Sequence, residues 1–249
     1  MKSAPTITRR QCLALAAGAA TALNAGQAWA SARSDVVVEL FTSQGCSSCP
    51  PADRLLAELQ AMPGVLALTY HVDYWDYLGW KDTLGSPDFS QRQYDYAKAR
   101  GDMDVYTPQM VVNGGGHMVG SQRGAVIGAI EAARGTVFPV SVAIHDSGNE
   151  ITIDIGAGEP VDEATVWLLP VMRTANVKIL KGEIAGREIA YHNIVRKVLP
   201  AGMWNGKAAQ LVMPKDSVLP PDCQACVALL QNGKAGAVLG CGTWGKFAA

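Results

Sequence analysis

Cys46-Ser47-Ser48-Cys49 stands where the pattern of the chain places the end of a strand and the start of a helix. Two intervening residues let the sulfurs meet across a first helical turn. A helix N-terminus offers unpaired amides and partial positive charge, which favour a thiolate on the first cysteine. The thiolate is the nucleophile of thiol–disulfide exchange, so the placement suits that reaction near neutral pH. A fixed disulfide or half of a zinc site would use the same spacing. For zinc, the second pair, Cys223-x-x-Cys226, lies far along the chain, whereas zinc ribbons keep their pairs about 15–20 residues apart. No metal is therefore expected.

The positioning elements are legible on both sides of the pair. Val36 to Phe41 is a short apolar run rich in β-branched residues that breaks at Ser43-Gln44-Gly45, a strand leaving its turn. Pro50-Pro51 opens a segment with Leu55, Leu56 and Leu59 on one helical face; proline is tolerated where an amide is already orphaned, which fixes a helix N-terminus. Val65 to Val72 is a second strand, Ser90 to Arg100 a helix, Gln109 to Val112 and His117 to Val119 a hairpin around Gly114-Gly115-Gly116, and Arg123 to Ala133 a closing helix. Strands alternating with helices, with one late hairpin, predict a mixed sheet covered by helices.

After Pro139 the period becomes two. Val140, Val142 and Ile144, then Ile151, Ile153 and Ile155, alternate with polar or small neighbours. Further runs at 165–169, 177–180, 190–198, 210–213, 226–230 and 237–241 predict about eight short strands without a helix, an antiparallel sandwich-like arrangement. The expected fold is thus an α/β domain over 31–138 followed by a mainly antiparallel β-sandwich-like domain over 139–249.

Residues 1–30 read as a cleaved export signal: Arg9-Arg10, an alanine-rich apolar run from Cys12 to Ala25, and the small-x-small Ala28-Trp29-Ala30. The paired arginines resemble a twin-arginine (Tat) address, with an ordinary Sec signal as the alternative. Cleavage removes Lys2, Arg9 and Arg10 and no acid, leaving 18 basic against 22 acidic residues. That excludes a nucleic-acid footprint, and no apolar run reaches the roughly 20 residues that span a bilayer. A periplasmic or secreted location is expected. There, Cys46, Cys49, Cys223, Cys226 and Cys241 would meet an oxidising compartment, with one thiol left over.

Glu39 to Asp53, His71 to Trp80 and Val105 to Gln109 carry long, specific strings, notably Glu39-Leu40-Phe41-Thr42-Ser43-Gln44-Gly45-Cys46-Ser47-Ser48-Cys49 and Tyr106-Thr107-Pro108. By these strings the chain resembles an exported bacterial family of unknown function, DUF1223, with a thioredoxin-like order of elements. The resemblance implies that Cys46 attacks, that Cys49 resolves, and that Thr107-Pro108 forms the loop in which such proteins keep a cis proline facing the disulfide. It implies no cofactor beyond the two sulfurs. Ser-Ser between the cysteines differs from the Gly-Pro of thioredoxins, so the redox direction stays open. Thioredoxins bury an acid on the strand before the cysteines to take the resolving thiol's proton. Glu39, one position farther from the first cysteine than that acid, either fills this role or points to solvent by normal alternation. Trp75 and Tyr77, with Thr107, either wall a substrate groove or belong to a packed loop over the sheet end.

Near the C-terminus, a four-residue loop Asn232-Gly233-Lys234-Ala235 would set Cys226 opposite Cys241, within disulfide range. A Cys223–Cys226 couple is the competing pairing. The expected function is a periplasmic thiol–disulfide oxidoreductase acting on protein thiols or disulfides. The alternative is a non-catalytic periplasmic binding or assembly module in which the disulfides are static.

Overall fold

The computed structural model describes residues 36–248, so the expected export signal lies outside the described residues. Strand β1 (Val36–Thr42) is buried along its whole length, which is why its sequence is nearly all apolar. It pairs in parallel with β2 (Val65–His71) and antiparallel with β3 (Gln109–Val112), and β3 turns back into β4 (His117–Val119). Three helices cover these strands. Helix α1 (Pro50–Leu59) carries the proline pair in its first turn. Helix α2 (Pro87–Arg100) begins at Ser86, whose hydroxyl accepts from the Asp88 amide at 3.2 Å, and stops at Gly101 with φ 78°, a left-handed conformation suited to glycine. Helix α3 (Arg123–Ala133) follows β4.

Alternation along β1 sorts the layers. Val36, Val38 and Leu40 pack with Leu55, Leu56 and Leu59 of α1 and with Val126 and Ile130 of α3. Val37 and Phe41 face the other way, against Tyr70 of β2 and Phe89 and Tyr96 of α2.

Beyond Pro139 the chain makes β5 (Val142–Asp146), β6 (Glu150–Ile155), β7 (Ala164–Lys178), β8 (Glu188–Val195), β9 (Leu199–Trp204), β10 (Ala209–Pro214), β11 (Ala225–Asn232) and β12 (Val238–Gly245). Only β10, β6 and β5 form a separate antiparallel sheet. Its Val142, Ile144, Ile151 and Ile153 pack on Val166 and Leu168 of β7 and on Ala228 and Leu230 of β11. The other strands extend the first sheet, in the order β12-β11-β7-β8-β2-β1-β3-β4, with β9 also beside β7. The fold is therefore a mixed α/β fold with a large mixed sheet and a second antiparallel sheet, and the large sheet runs straight across residue 139.

Two details depart from the sequence pattern. The runs at 165–169 and 177–180 are one 15-residue strand, β7. Pro170 does not end it, because β9 pairs along Ala164–Leu168 and β8 takes over the same edge from Val171; the missing amide falls at the changeover. A one-turn helix, α4 (Lys215–Val218), also interrupts the region expected to hold strands alone.

The seam between the halves is the parallel contact of Thr69 in β2 with Ile194 in β8. Thr69 Oγ1 donates to the His192 carbonyl at 2.8 Å. Buried Asn193, held at φ 45°, donates from Nδ2 to the Ala67 carbonyl at 3.1 Å and accepts from the Ala248 amide at 2.8 Å. The sheet also curls until its ends meet. The Val238 amide at the start of β12 donates to the Asn113 carbonyl after β3 at 3.0 Å. There Gly114, at φ 69°, lies so close to Gly236 that any side chain would strike its carbonyl. Replacing Asn193 by Ala removes two hydrogen bonds, strands two backbone groups and places a Cβ-bearing residue without amide compensation at positive φ. The expected loss is about 2–4 kcal/mol of unfolding free energy, measured by urea denaturation.

Candidate functional site

Where β1 ends, Ser43, Gln44 and Gly45 turn the chain so that the Cys46 amide donates to the Ser43 carbonyl at 3.2 Å and the Cys49 amide to the Cys46 carbonyl at 3.3 Å. Cys46 and Cys49 are joined in a disulfide with Cα atoms 5.4 Å apart, and Cys49 is the N-cap of α1. Cys49 is fully buried, Cys46 is 3% exposed, and Ser47 and Ser48 between them are open to solvent. The unpaired amides expected at this helix start are not there. Pro50 and Pro51 carry none, and the Ala52 and Asp53 amides both donate to the Cys49 carbonyl, at 2.8 and 3.2 Å. What remains to favour a thiolate are the helix macrodipole and the Ser48 hydroxyl, 3.4 Å from Cys46 Sγ.

The aromatic stretch packs against the turn before the pair. A Cβ on Gly45 would sit 2.9 Å from Trp75 Cβ, so the turn before Cys46 and the loop after β2 touch. Trp75 Nε1 donates to Thr107 Oγ1 at 2.7 Å, and the Tyr77 ring lies nearly parallel to the Trp75 ring at 6.2 Å while 77% exposed. The Thr107–Pro108 peptide is cis. Pro108 flanks the first turn of α1: a Cβ on Gly120 would lie 3.3 Å from Pro108 Cβ and 3.2 Å from Ala52 Cβ. Three loops thus meet around the turn that leads through Cys46 into α1: Trp75 lies against Gly45 and Thr107, the Tyr77 ring beside Trp75, and Pro108 near Ala52.

A buried carboxylate straps two of these loops. Asp82 accepts from the Gln44 amide at 2.8 Å, from His71 Nδ1 at 2.9 Å and from the Leu84 amide at 2.9 Å. Burial pushes its carboxyl up, but the His71 ring and the backbone donors outweigh this and hold it below the usual range. Gln44 reinforces the strap by accepting from Trp80 Nε1 at 2.9 Å.

One helical turn after Cys49 is a residue to which the sequence pattern assigned no role. Asp53 lies four residues along α1, on the same helical face as Cys49, and is buried. Its Oδ1 accepts from Thr42 Oγ1 at 2.8 Å, while Oδ2 has no partner among the described residues. His71 Nε2 and the Tyr191 hydroxyl are likewise unpartnered, and the His71 and Tyr191 rings meet edge-on at 4.5 Å. Burial pushes the Asp53 carboxyl up to about 7, opposed by the Thr42 hydrogen bond and the His71 and Arg54 charges and aided by Asp82. The four-residue interval from Cys49 was the signal that could have found it.

Glu39 does not supply a proton to the cysteines, nor does it point to solvent. Alternation places it with Val37 and Phe41 on the α2 face, opposite α1. There, buried, it accepts from Arg92 Nε at 2.9 Å and from the Tyr96 hydroxyl. Arg92 also donates to Gln231 Oε1 of β11 at 2.9 Å and to the Tyr96 hydroxyl at 3.0 Å. The expected Cys226–Cys241 bridge is also absent. The hairpin turns later than the counted loop, with Gln231 facing Val238 rather than Gly236, and an irregularity between Leu230 and Gln231 adds one further step, so Cys226 faces Trp244 and Cys241 faces Leu229. The two thiols then fall on opposite faces of the sheet, Cys226 among Val142 and Ala228, Cys241 against Val227 and Leu229. Cys223, Cys226 and Cys241 are free, and burial pushes each thiol up to about 12, which makes them poor nucleophiles. Among the described residues no group of three or more His, Cys, Asp or Glu side chains is arranged to hold a metal ion, and no helix is long and apolar enough to cross a membrane.

The family model described as "Protein of unknown function (DUF1223)" matches residues 37–231. The chain is also similar to a protein of Agrobacterium tumefaciens solved by crystallography, with 36% identity, 85% of this chain and 94% of that chain covered, and a TM-score of 0.74. No curated protein matches it. The chain belongs to the DUF1223 family.

Two outcomes follow from these placements. Glu39→Gln leaves the Arg92 charge buried without its counter-ion, and is expected to cost about 3–5 kcal/mol in urea unfolding while leaving the reactivity of Cys46 unchanged in the folded protein. Asp53, whose carboxyl is raised from 3.8 to about 7, stays protonated in the folded chain after it has ionised in the unfolded one. Its contribution is therefore full below about pH 4 and lost as pH rises toward about 7, by several kcal/mol at most. The stability of Asp53→Asn relative to wild type should accordingly be higher at about pH 8 than at about pH 5; an equal difference at both values would count against the assignment.

Proposed function

We propose that the protein is an exported thiol–disulfide oxidoreductase in which the Cys46–Cys49 pair exchanges with protein thiols or disulfides. The observation that carries this reading is the meeting of three loops at the disulfide: the turn into α1, the Trp75–Tyr77 loop and the Thr107-Pro108 loop. Such an assembly supports a thioredoxin-like use of the first half of the chain. A periplasmic or secreted location, implied by residues 1–30, belongs to the same proposal, as does the absence of any cofactor beyond the two sulfurs.

Burial orders the roles. Cys49 is sealed and Cys46 retains a sliver of surface, so Cys46 is the sulfur a partner reaches. In the oxidising direction, a substrate thiolate attacks Cys46 Sγ, the Cys46–Cys49 bond breaks, and Cys49 leaves as the thiolate. A second substrate thiolate then displaces Cys46, forming the substrate disulfide and leaving the pair reduced by two electrons. In the other direction the Cys46 thiolate attacks a substrate disulfide, and Cys49 attacks Cys46 Sγ to release the second substrate thiol. Exposed Ser47, Ser48 and Tyr77 form the rim on which a partner chain would rest.

The near-complete burial of both sulfurs favours a second reading, a static bridge in a binding or assembly module. Insulin reduction and the refolding of a scrambled disulfide substrate, run with wild type, Cys46→Ser and Cys49→Ser, separate the two. Under the redox reading wild type turns over, Cys46→Ser falls to background, and Cys49→Ser accumulates a mixed disulfide through Cys46. Equal, negligible rates in all three would overturn it in favour of the static bridge.

A further inference from the structure

In the exchange just described Cys49 gains or loses a proton in a place that solvent does not reach, so a group beside it has to carry that proton. We propose that Asp53 is this group: its carboxylate takes the proton from the Cys49 thiol as Cys49 attacks the mixed disulfide on Cys46, and its carboxyl returns the proton when Cys49 leaves. The proposal rests on the redox reading and deepens it.

Position is the first argument. Asp53 is one helical turn beyond Cys49 on the same face of α1, and both side chains are buried. A pair at this interval on a helix has its Cβ atoms about 5–6 Å apart. The second argument is the carboxylate's own valence. Thr42 occupies Oδ1 and leaves Oδ2 without a partner, so one oxygen is anchored and the other is available. The acid on β1 cannot compete, since Glu39 lies across the sheet and is committed to Arg92 and Tyr96. The groups around Asp53 are Thr42 from β1, His71 from β2, Asp82 from the loop after it, Tyr191 from β8 and Arg54 on α1 itself. Their sum with burial leaves the carboxyl titrating at about 7, where it both accepts and releases a proton near neutrality.

The step balances as follows. With Cys46 bound to a substrate sulfur, Asp53 accepts the Cys49 proton, the Cys49 sulfur bonds to Cys46, and the bond from Cys46 to the substrate breaks. The substrate leaves as a thiolate, two electrons having passed from the cysteine pair to it, and takes up the proton through solvent once Asp53 releases it.

The test uses the reduced full-length protein and the aromatic disulfide dithiobis-nitrobenzoate, whose released thiolate is coloured. The first release reports attack by Cys46 and the second reports resolution by Cys49. Cys12, Cys223, Cys226 and Cys241, the same in every variant, contribute a common background that a Cys46→Ser, Cys49→Ser control measures and that is subtracted. In wild type the second rate should rise with pH and inflect near 7. Asp53→Asn should keep the first rate within about twofold, slow the second about a hundredfold near pH 8, and lose the inflection. Thr42→Val removes a hydrogen bond that favours the charged carboxylate, so its inflection should move to higher pH. A second release in Asp53→Asn with wild-type rate and pH profile would overturn the proposal while leaving the redox reading standing. If Asp53→Asn does not fold, an inflection unmoved in Thr42→Val overturns it instead. Wild type that releases nothing in either rapid phase refutes the redox reading itself, and the proposal falls with it.

Discussion

The Arg92 side chain is only 3% exposed, and a charge so nearly buried is tolerated only when it is paired and hydrogen-bonded. Glu39 answers it from β1, Gln231 from β11, and the Tyr96 hydroxyl from one turn along α2. Gln231 in turn donates to Tyr96 Oη and to the Gly236 carbonyl, both at 2.9 Å. The guanidinium also stacks over the Tyr96 ring, 5.0 Å from its centroid. This network cannot slide, because each displaced partner leaves a desolvated charge or dipole. It therefore fixes the first strand, the second helix and the last hairpin relative to one another.

That constraint reaches the cysteines through α2. Ser90 Oγ donates to Asp73 at 2.5 Å and Gln93 accepts from the Tyr74 hydroxyl at 3.1 Å, two anchors on the helix that carries Arg92. They hold the start of the aromatic loop, which places Trp75 against Gly45 and Thr107. Asp82 and Gln44 close the loop's far end on the turn before Cys46. The site is thus built from loops, held at both ends by buried polar contacts in addition to the packing of Tyr74 and Trp75 on the core. This explains how a pair of sulfurs can lie at a surface turn and still be almost fully covered.

Much of this was legible in the sequence, and the failures have specific causes. The strand before Cys46, the Pro50-Pro51 helix start and the period-two segments Ile151 to Ile155 are local patterns, and all formed as read. Neither alternative for Glu39 held, because face follows parity: seven residues before Cys46 is a distance along the chain, whereas its neighbours Val38 and Leu40 already showed which side α1 would cover, and the opposite face is covered by α2 rather than open. The Cys226–Cys241 register failed because a counted loop assumes both a fixed turn and a regular ladder: the turn closes two steps later, with Gln231 on Val238, and the irregularity at Leu230 and Gln231 adds a third. The union of the two halves into one sheet was not readable at all. It depends on β8 finding β2 across more than a hundred residues, through Thr69 and Asn193, and no local signal marks such a contact.

A carboxyl beside a thiol in a space closed to water also bears on the direction of exchange. Two neighbouring groups that cannot both carry charge titrate as a pair. When Asp53 is ionised, a thiolate on Cys49 meets a like charge with little screening, so the reduced pair is held with Cys49 protonated and the disulfide is favoured relative to a free dithiolate. When Asp53 is protonated, that repulsion is gone and a Cys49 thiolate is easier to form as a leaving group. The macrodipole of α1 acts the other way, favouring negative charge at its N-terminus, where Pro50 and Pro51 have removed the amides that would otherwise have supplied direct hydrogen bonds. Under the proposed redox function, with a Ser47-Ser48 dipeptide that leaves the direction open, the balance between these two fields would bias which way the pair runs, and Asp53 would make that balance sensitive to pH.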